Sequence, residues 1–356
     1  MKTLVLDTTE LRRDWTFRGA TAQLLGYAQQ NIFLKVCVPP SCFEELIAHH
    51  ERATVEAARE VERVHRTLQR LGLPSFEIPS SSLDYREFLL ERFTETLGFE
   101  ILAWPQTPHQ QLVERASRRR PPFDSTGGGY RDSLVWESIL ELVRRGEDVV
   151  FATADKIFSG ADGDLAFELV EEIAPLAGNV TLVRELPSWL RSNLPWRSST
   201  VNESLALAQD EHFARYYTES DIHEALIPDA SDLGFDLAPY SLTIFDVDWT
   251  GSLERTAAKV GSDGVVLVDY ELGMIVEFEG EFPGSLRTHP AWDRTVVGYD
   301  RAAVTGTIDM VARIGVLFDD DLGMSFEQVH WRRADGNPAG QGIRPAFLGT
   351  PLFEME

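Results

Sequence analysis

Four carboxylates in this chain stand where they could act together. Asp7 ends a short apolar run, Thr3–Leu6, and Glu45 falls in the first turns after a second such run. Asp132 opens an amphipathic stretch, and Asp155 follows the run Val149–Ala152. In open α/β sheets, chemistry collects at the carboxyl ends of parallel strands, so these side chains are expected to converge on one edge of a sheet. Two carboxylates ~5 Å apart repel by about 3 kcal/mol at an effective dielectric of about 20. Either their pKa values rise or a cation takes up the charge. Oxygen-only donors select hard ions, so Mg²⁺ or Mn²⁺ is the expected cofactor. One or two such ions support phosphodiester hydrolysis.

Each carboxylate also has a plainer role to weigh. A strand-end Asp is a common turn former, and an Asp in a first turn offsets the helix dipole. The occurrence of all four together favours ligation. Glu44 competes with Glu45, but Ser41-x-x-Glu44 matches a capping box that would occupy Glu44 and leave Glu45 free. Asp162 and Asp164 read as loop residues, with Asp164 capping a helix from Leu165, and either could supply an outer ligand. The eight histidines include no H-x-x-x-H or H-E-x-x-H pair, which argues against a zinc hydrolase. Gly127–Gly129 lacks the Lys-Ser/Thr of a phosphate-binding loop and reads as a flexible turn. A phosphatase with a strand-end aspartyl nucleophile needs a second Asp where Thr9 stands.

The elements that must position these groups follow from periodicity. Thr3–Leu6, Ile32–Val38, Val149–Ala152 and Val180–Val183 read as buried strands. Helices are expected over Ala20–Gln29, from Ser41 to about Leu71, within Ser80–Leu97, after Gly129 and over Leu165–Ile173. Pro105–Gly129 reads as loop-rich. In the helix after Gly129, Leu134, Val135, Ile139, Leu142 and Val143 recur at helical spacing and Trp136 is expected in the core. The fold class is therefore α/β, a parallel-sheet α/β/α domain over 1–186. A junction over 187–203 follows, then a smaller β-rich domain over 204–356. That domain opens with a helix near Ser204–Tyr217. Period-two runs at Ser241–Asp248, Val265–Glu271, Met274–Glu279, Thr305–Phe318 and Met324–Trp331 suggest an antiparallel sheet, barrel or sandwich.

The strand-end DTT at Asp7–Thr9, the segments VPPSCFEEL and GGGYRDSLVW, and VVFATADKIF resemble the successive motifs of PIN-domain nucleases. They are most similar to bacterial PIN-like proteins whose third motif is Gly-x-(Lys/Arg)-Asp before an apolar run with Trp. The resemblance covers about residues 1–185 and none of the C-terminal half. It implies a fold similar to flap endonucleases and hydrolysis of RNA or DNA with Mg²⁺ or Mn²⁺. Asp7, Glu45, Asp132 and Asp155 would hold the metal, with Thr153 in support. Thr9 stands where the family usually has Asn or Ser, and its hydroxyl can still donate and accept hydrogen bonds. A PIN scaffold without catalysis, binding nucleic acid or protein, is the alternative.

Charge bears on partners. The chain carries 33 Lys or Arg against 57 Asp or Glu. Residues 1–200 hold 23 against 29, or −6, and the rest hold 10 against 28, or −18. Backbone binding needs cations, so nucleic acid is expected at the first half, with Arg118, Arg119, Arg120 and Arg131 as phosphate contacts. Tyr130 beside Arg131 could stack on a base. Arg59, Arg63, Arg66 and Arg70 dot one helix and read as a solvated face. The acidic half could bind a protein partner, or hold the first half off nucleic acid, or serve solubility alone. Self-association stays open. No apolar run approaches the roughly 20 residues of a membrane span. Met1–Asp7 has no signal-peptide layout, and two cysteines without metal spacing suit a reduced cytoplasmic protein.

Overall fold

The computed structural model describes residues 1–72, 83–160, 162–196, 203–219, 226–261, 265–286, 289–290, 292–319, 323–327 and 329–335. The chain divides into two compact units, Met1–Phe17 with Leu24–Leu194, and Arg18–Gln23 with Pro195–Glu356.

The first unit is built in the order β1 (Lys2–Leu6), α1 (Thr8–Leu11), α2 (Ala20–Gln30), β2 (Leu34–Val38), α3 (Pro40–Arg70), α4 (Tyr85–Glu91), β3 (Glu100–Ile101), α5 (His109–Ser117), α6 (Tyr130–Arg144), β4 (Val149–Ala152), α7 (Phe167–Ile173), β5 (Val180–Val183) and α8 (Leu186–Asn193). Its five strands pair in parallel in the order β3-β2-β1-β4-β5. Strand order therefore reverses between β1 and β4, and at such a switch point a crevice opens beyond the carboxyl ends. β1 and β4 are apolar because both faces are covered: Leu4, Val5, Phe151 and Ala152 are fully buried. Against them lie Trp136, Ile139, Leu142 and Val143 of α6, all at 0% exposure. Trp136 is thus core, and its indole Nε1 donates to Glu172 at 2.8 Å.

Several local expectations are corrected. α3 starts at Pro40, with no side-chain cap, and the Ser41 hydroxyl has no hydrogen-bond partner. A proline at the first helical position has no N–H to satisfy, so the capping box does not form, and Glu44 instead pairs with Arg86 at 2.8 Å. α7 begins at Phe167 after Ala166, so Asp164 is not its cap. The helix expected within Ser80–Leu97 is α4, which runs on into a wider turn, Arg92–Thr96; residues 80–82 lie outside the described residues. The segment read as loop holds α5, and the expected junction begins with α8.

The second unit pairs β6 (Ser241–Val260), β7 (Val266–Pro283), β8 (Asp293–Gly298), β9 (Arg301–Asp319), β10 (Gly323–Phe326) and β11 (His330–Arg333) in one antiparallel sheet. Its strands are longer than their sequence pattern suggests. The break expected between Glu271 and Met274 falls inside β7, where a Cβ on Gly273 would stand 2.5 Å from the Thr250 hydroxyl. The glycine admits close approach of β6 and does not end the strand. A helix, α9 (Glu203–Glu219), packs on the sheet, Phe213 stacking on Tyr270 at 4.7 Å between ring centres. Among the described residues, no helix is long and apolar enough to cross a membrane.

Gly129 precedes α6 with φ 110°, and a Cβ there would meet the Pro122 carbonyl oxygen at 2.3 Å. Gly127 also has positive φ, at 91°, but open space around it. Gly129→Ala is expected to lower unfolding stability by at least about 2 kcal/mol, and Gly127→Ala by about 1 kcal/mol. Denaturant melts of the two variants check this, and equal losses would contradict the steric account.

Candidate active site

The parallel register of β1 with β4 sets Leu6 beside Ala152. The next residues, Asp7 and Thr153, therefore leave the sheet side by side at the switch point. Asp7 is 5% exposed. Its Oδ2 accepts from the Thr153 hydroxyl at 2.7 Å and from Thr9 at 2.8 Å, and the Cys42 thiol points to Oδ1 at 3.7 Å. Asp7 stands at the start of α1 but makes no side-chain cap. Its carboxylate is instead held by Thr9, Thr153 and Cys42.

Glu45, in the second turn of α3, is half-buried. Its Oε2 accepts from the Thr8 hydroxyl at 3.0 Å, and its Oε1 pairs with Arg131 and lies 3.5 Å from His49 Nε2. Burial and the charges of Arg12 and Arg52 hold the His49 imidazole below its usual pKa, against the opposing pull of Glu45. Asp155 follows β4, and its Oδ1 accepts from the Ile157 amide at 2.9 Å. Here the cap role is real and uses one of the two oxygens.

Asp132 ties the group together. Burial pushes its carboxyl up to about 6, the charges of Asp155, Asp7 and Glu45 push in the same direction, and Arg131 opposes them. Four side chains distant in sequence are thus electrostatic neighbours. The donor set is all oxygen, which suits a hard divalent ion. Its spacing is a separate matter. Among the described residues no three His, Cys, Asp or Glu side chains stand close enough to ligate one ion, and Arg131 neutralises part of Glu45.

The basic residues separate. Arg131 is at the cluster, with an exposed side chain. Arg118 pairs with Glu114 at 2.6 Å, and Arg118 and Arg120 line a cavity of about 190 Å³ with Glu137 and Glu172. Arg119 takes a left-handed backbone conformation, φ 51°. Arg115 is held by Glu172 at 2.5 Å and by the Pro121 carbonyl, and so braces this loop.

Sequence reasoning missed five groups near the carboxylates. Thr8, Cys42 and His49 adjoin recognised positions, and His49 could have been found from its place one turn after Glu45. Glu10 and Glu185 carried no signal. Glu10 is 8% exposed, and its Oε1 lies 3.1 Å from Arg13 without hydrogen-bond geometry. Burial pushes its carboxyl up to about 7; Arg13 opposes, and the charges of Glu185 and Asp7 add.

Residues 4–158 match the family described as PIN domain, and the parallel sheet with its flanking helices fits such a domain. Neither a curated protein nor a solved structure matches the chain.

The raised Glu10 pKa makes a stability prediction. The folded state holds this proton more tightly than the unfolded chain, whose Glu titrates near 4.5. Stability is therefore full below that pH and falls as pH rises through about 7, by about 3 kcal/mol. Glu10→Gln should be more stable than the parent at pH ~8 by about that amount and equal to it at pH ~4.5. Unfolding free energies at the two pH values test this, and a pH-independent difference would contradict it.

Proposed function

We propose that the first unit is a metal-dependent phosphodiesterase acting on RNA or DNA, with Asp7, Glu45, Asp132 and Asp155 holding Mg²⁺ or Mn²⁺. The observation that carries this reading is the Asp132 carboxyl at the switch point of a PIN-like fold, raised first by burial and then by the charges of Asp155, Asp7 and Glu45. Such a cluster gains from a divalent charge placed among its oxygens. When bound, the ion makes a water more acidic and offsets charge on the phosphate.

The chain's own groups do the positioning. Thr153 and Thr9 fix Asp7 through Oδ2, leaving Oδ1 beside the Cys42 thiol. Thr8 orients Glu45, and the Ile157 amide holds Asp155 by one oxygen, leaving the other for a cation. Arg131 must leave Glu45 for that carboxylate to ligate fully. Its exposed guanidinium is then free for a substrate phosphate, which it can bind in bidentate fashion. Arg118, Arg119 and Arg120 are proposed in the same role.

A second reading, a PIN scaffold without catalysis, draws on the Arg131–Glu45 pair and on the absence of a ligand-spaced trio among the described residues. Metal response separates the two. Mn²⁺ should raise the melting temperature of the parent and permit cleavage of an RNA and DNA panel. Asp132→Asn removes charge at nearly constant volume. It should melt higher than the parent without metal at pH ~8, because like-charge repulsion is relieved, yet lose both the Mn²⁺ shift and the cleavage. A parent with no Mn²⁺ shift supports the inert scaffold, and undiminished cleavage by the variant would move the site elsewhere.

A further inference from the structure

The length of α3 exceeds what the fold needs. Its buried residues end at Ile47, and residues 51–60 are exposed on every side. At ~100° per residue, Glu45 and His49 share one stripe, about 100° wide, with Arg52, Arg59, Arg63, Arg66 and Arg70. Glu56 lies within that stripe and Glu60 at its margin, while Arg63 to Gly72 contains no acidic residue. A basic face therefore starts at a carboxylate of the candidate site and continues along the free part of the helix.

We propose that this face is a track for the sugar–phosphate backbone of a nucleic-acid strand whose scissile end reaches the carboxylates. Only the position of that scissile end rests on the phosphodiesterase reading. From Arg52 to Arg70 the track spans ~27 Å at 1.5 Å per residue. That length matches about 8 nucleotides at the 3.4 Å spacing of a duplex strand. In a chain of net charge −24, phosphates need such a local concentration of cations. The present partners of these arginines are weak: Arg63 pairs with Glu60, and Arg66 stands 4.0 Å from Glu62, all with exposed side chains. Screened pairs of this kind yield to the fork geometry of a phosphate. The opposite face carries Val61, Val64 and Leu68, and basic amphipathic helices also bind anionic membranes. The register with Glu45 favours the strand, because a membrane has no use for alignment with a carboxylate cluster.

The test uses the full chain carrying Asp132→Asn, so that binding is read without cleavage. Labelled single-stranded RNA and DNA of about 3 nucleotides, too short to occupy the track, and of about 30 nucleotides are titrated between about 50 and 200 mM salt. The longer strands should bind at least ~10-fold tighter than the short ones. Replacing Arg59, Arg63, Arg66 and Arg70 together by Gln, which keeps helix propensity, should abolish that gain. It should also lower the salt slope by about 3, as expected for four phosphate contacts. The corresponding fourfold Lys variant should retain the slope, which separates lost charge from a damaged helix. A Gln variant that keeps both gain and slope overturns the track. So does one that loses affinity for phosphatidylserine vesicles while its oligonucleotide binding is intact, because the face would then be a membrane surface. Length-dependent binding without any Mn²⁺-dependent cleavage by the parent would sink the phosphodiesterase reading and leave the track standing.

Discussion

Everything at the site depends on one buried carboxylate. Asp7 emerges from the middle strand of a parallel sheet with almost no solvent, and a buried charge is tolerated only when it is hydrogen-bonded or paired. Two threonine hydroxyls supply that support, Thr9 from the following helix and Thr153 from the end of the adjacent strand. Thr153 also accepts from the Asp155 amide at 3.0 Å, and Thr9 accepts from the Ala154 amide at 2.9 Å. One small network thus supports the first carboxylate and shapes the loop that presents the fourth. Loss of either hydroxyl leaves a buried acceptor short of a partner, so these threonines bear on stability and on the site together.

Around this centre the electrostatics are poised and unbalanced. Asp132 resists ionising because it is buried and because three other carboxylates share its surroundings. Arg131, one residue earlier on the same helix, partly compensates through Glu45. Neighbours on a helix chain point in different directions, which is why Arg131 can serve Glu45 while Asp132 faces the cluster. Glu10, itself buried, feels the charge of Asp7 and adds to the like charge in this region. A fold that keeps so many like charges together forgoes stability, and such departures mark functional surfaces more often than structural ones.

The second unit obeys different constraints. Its long antiparallel strands expose polar residues on alternate positions of β6 and bury nearly every second residue of β7. Three register shifts interrupt the β6–β7 ladder, and irregularities of this kind let strands of 18 to 20 residues twist. Aromatic packing of Phe213 and Tyr270, with Tyr270 donating to Asp210 at 2.9 Å, fastens α9 to the sheet.

How much could be read from the linear chain differs from element to element. The parallel strands were legible because a strand covered on both faces must be continuously apolar; Asp7 and Asp155 stand out because they follow such runs, and Asp132 because it opens an amphipathic helix. Glu45 was reached by a wrong route: the capping box does not exist, and Glu44 is diverted by Arg86, a partner 42 residues away. Glu10 and Glu185 were invisible, since nothing local distinguishes a buried glutamate from a solvated one. Gly273 misled because a glycine that ends a strand and one that admits a neighbouring strand look alike in one dimension. Residue type and period alone determined which segments are strands and helices and which acids stand at their ends. Only the tertiary structure decided that β4 returns beside β1 on the side away from β2. That reversal opens the crevice and brings Thr153 against Asp7, and it arises from long-range packing that no local spacing encodes.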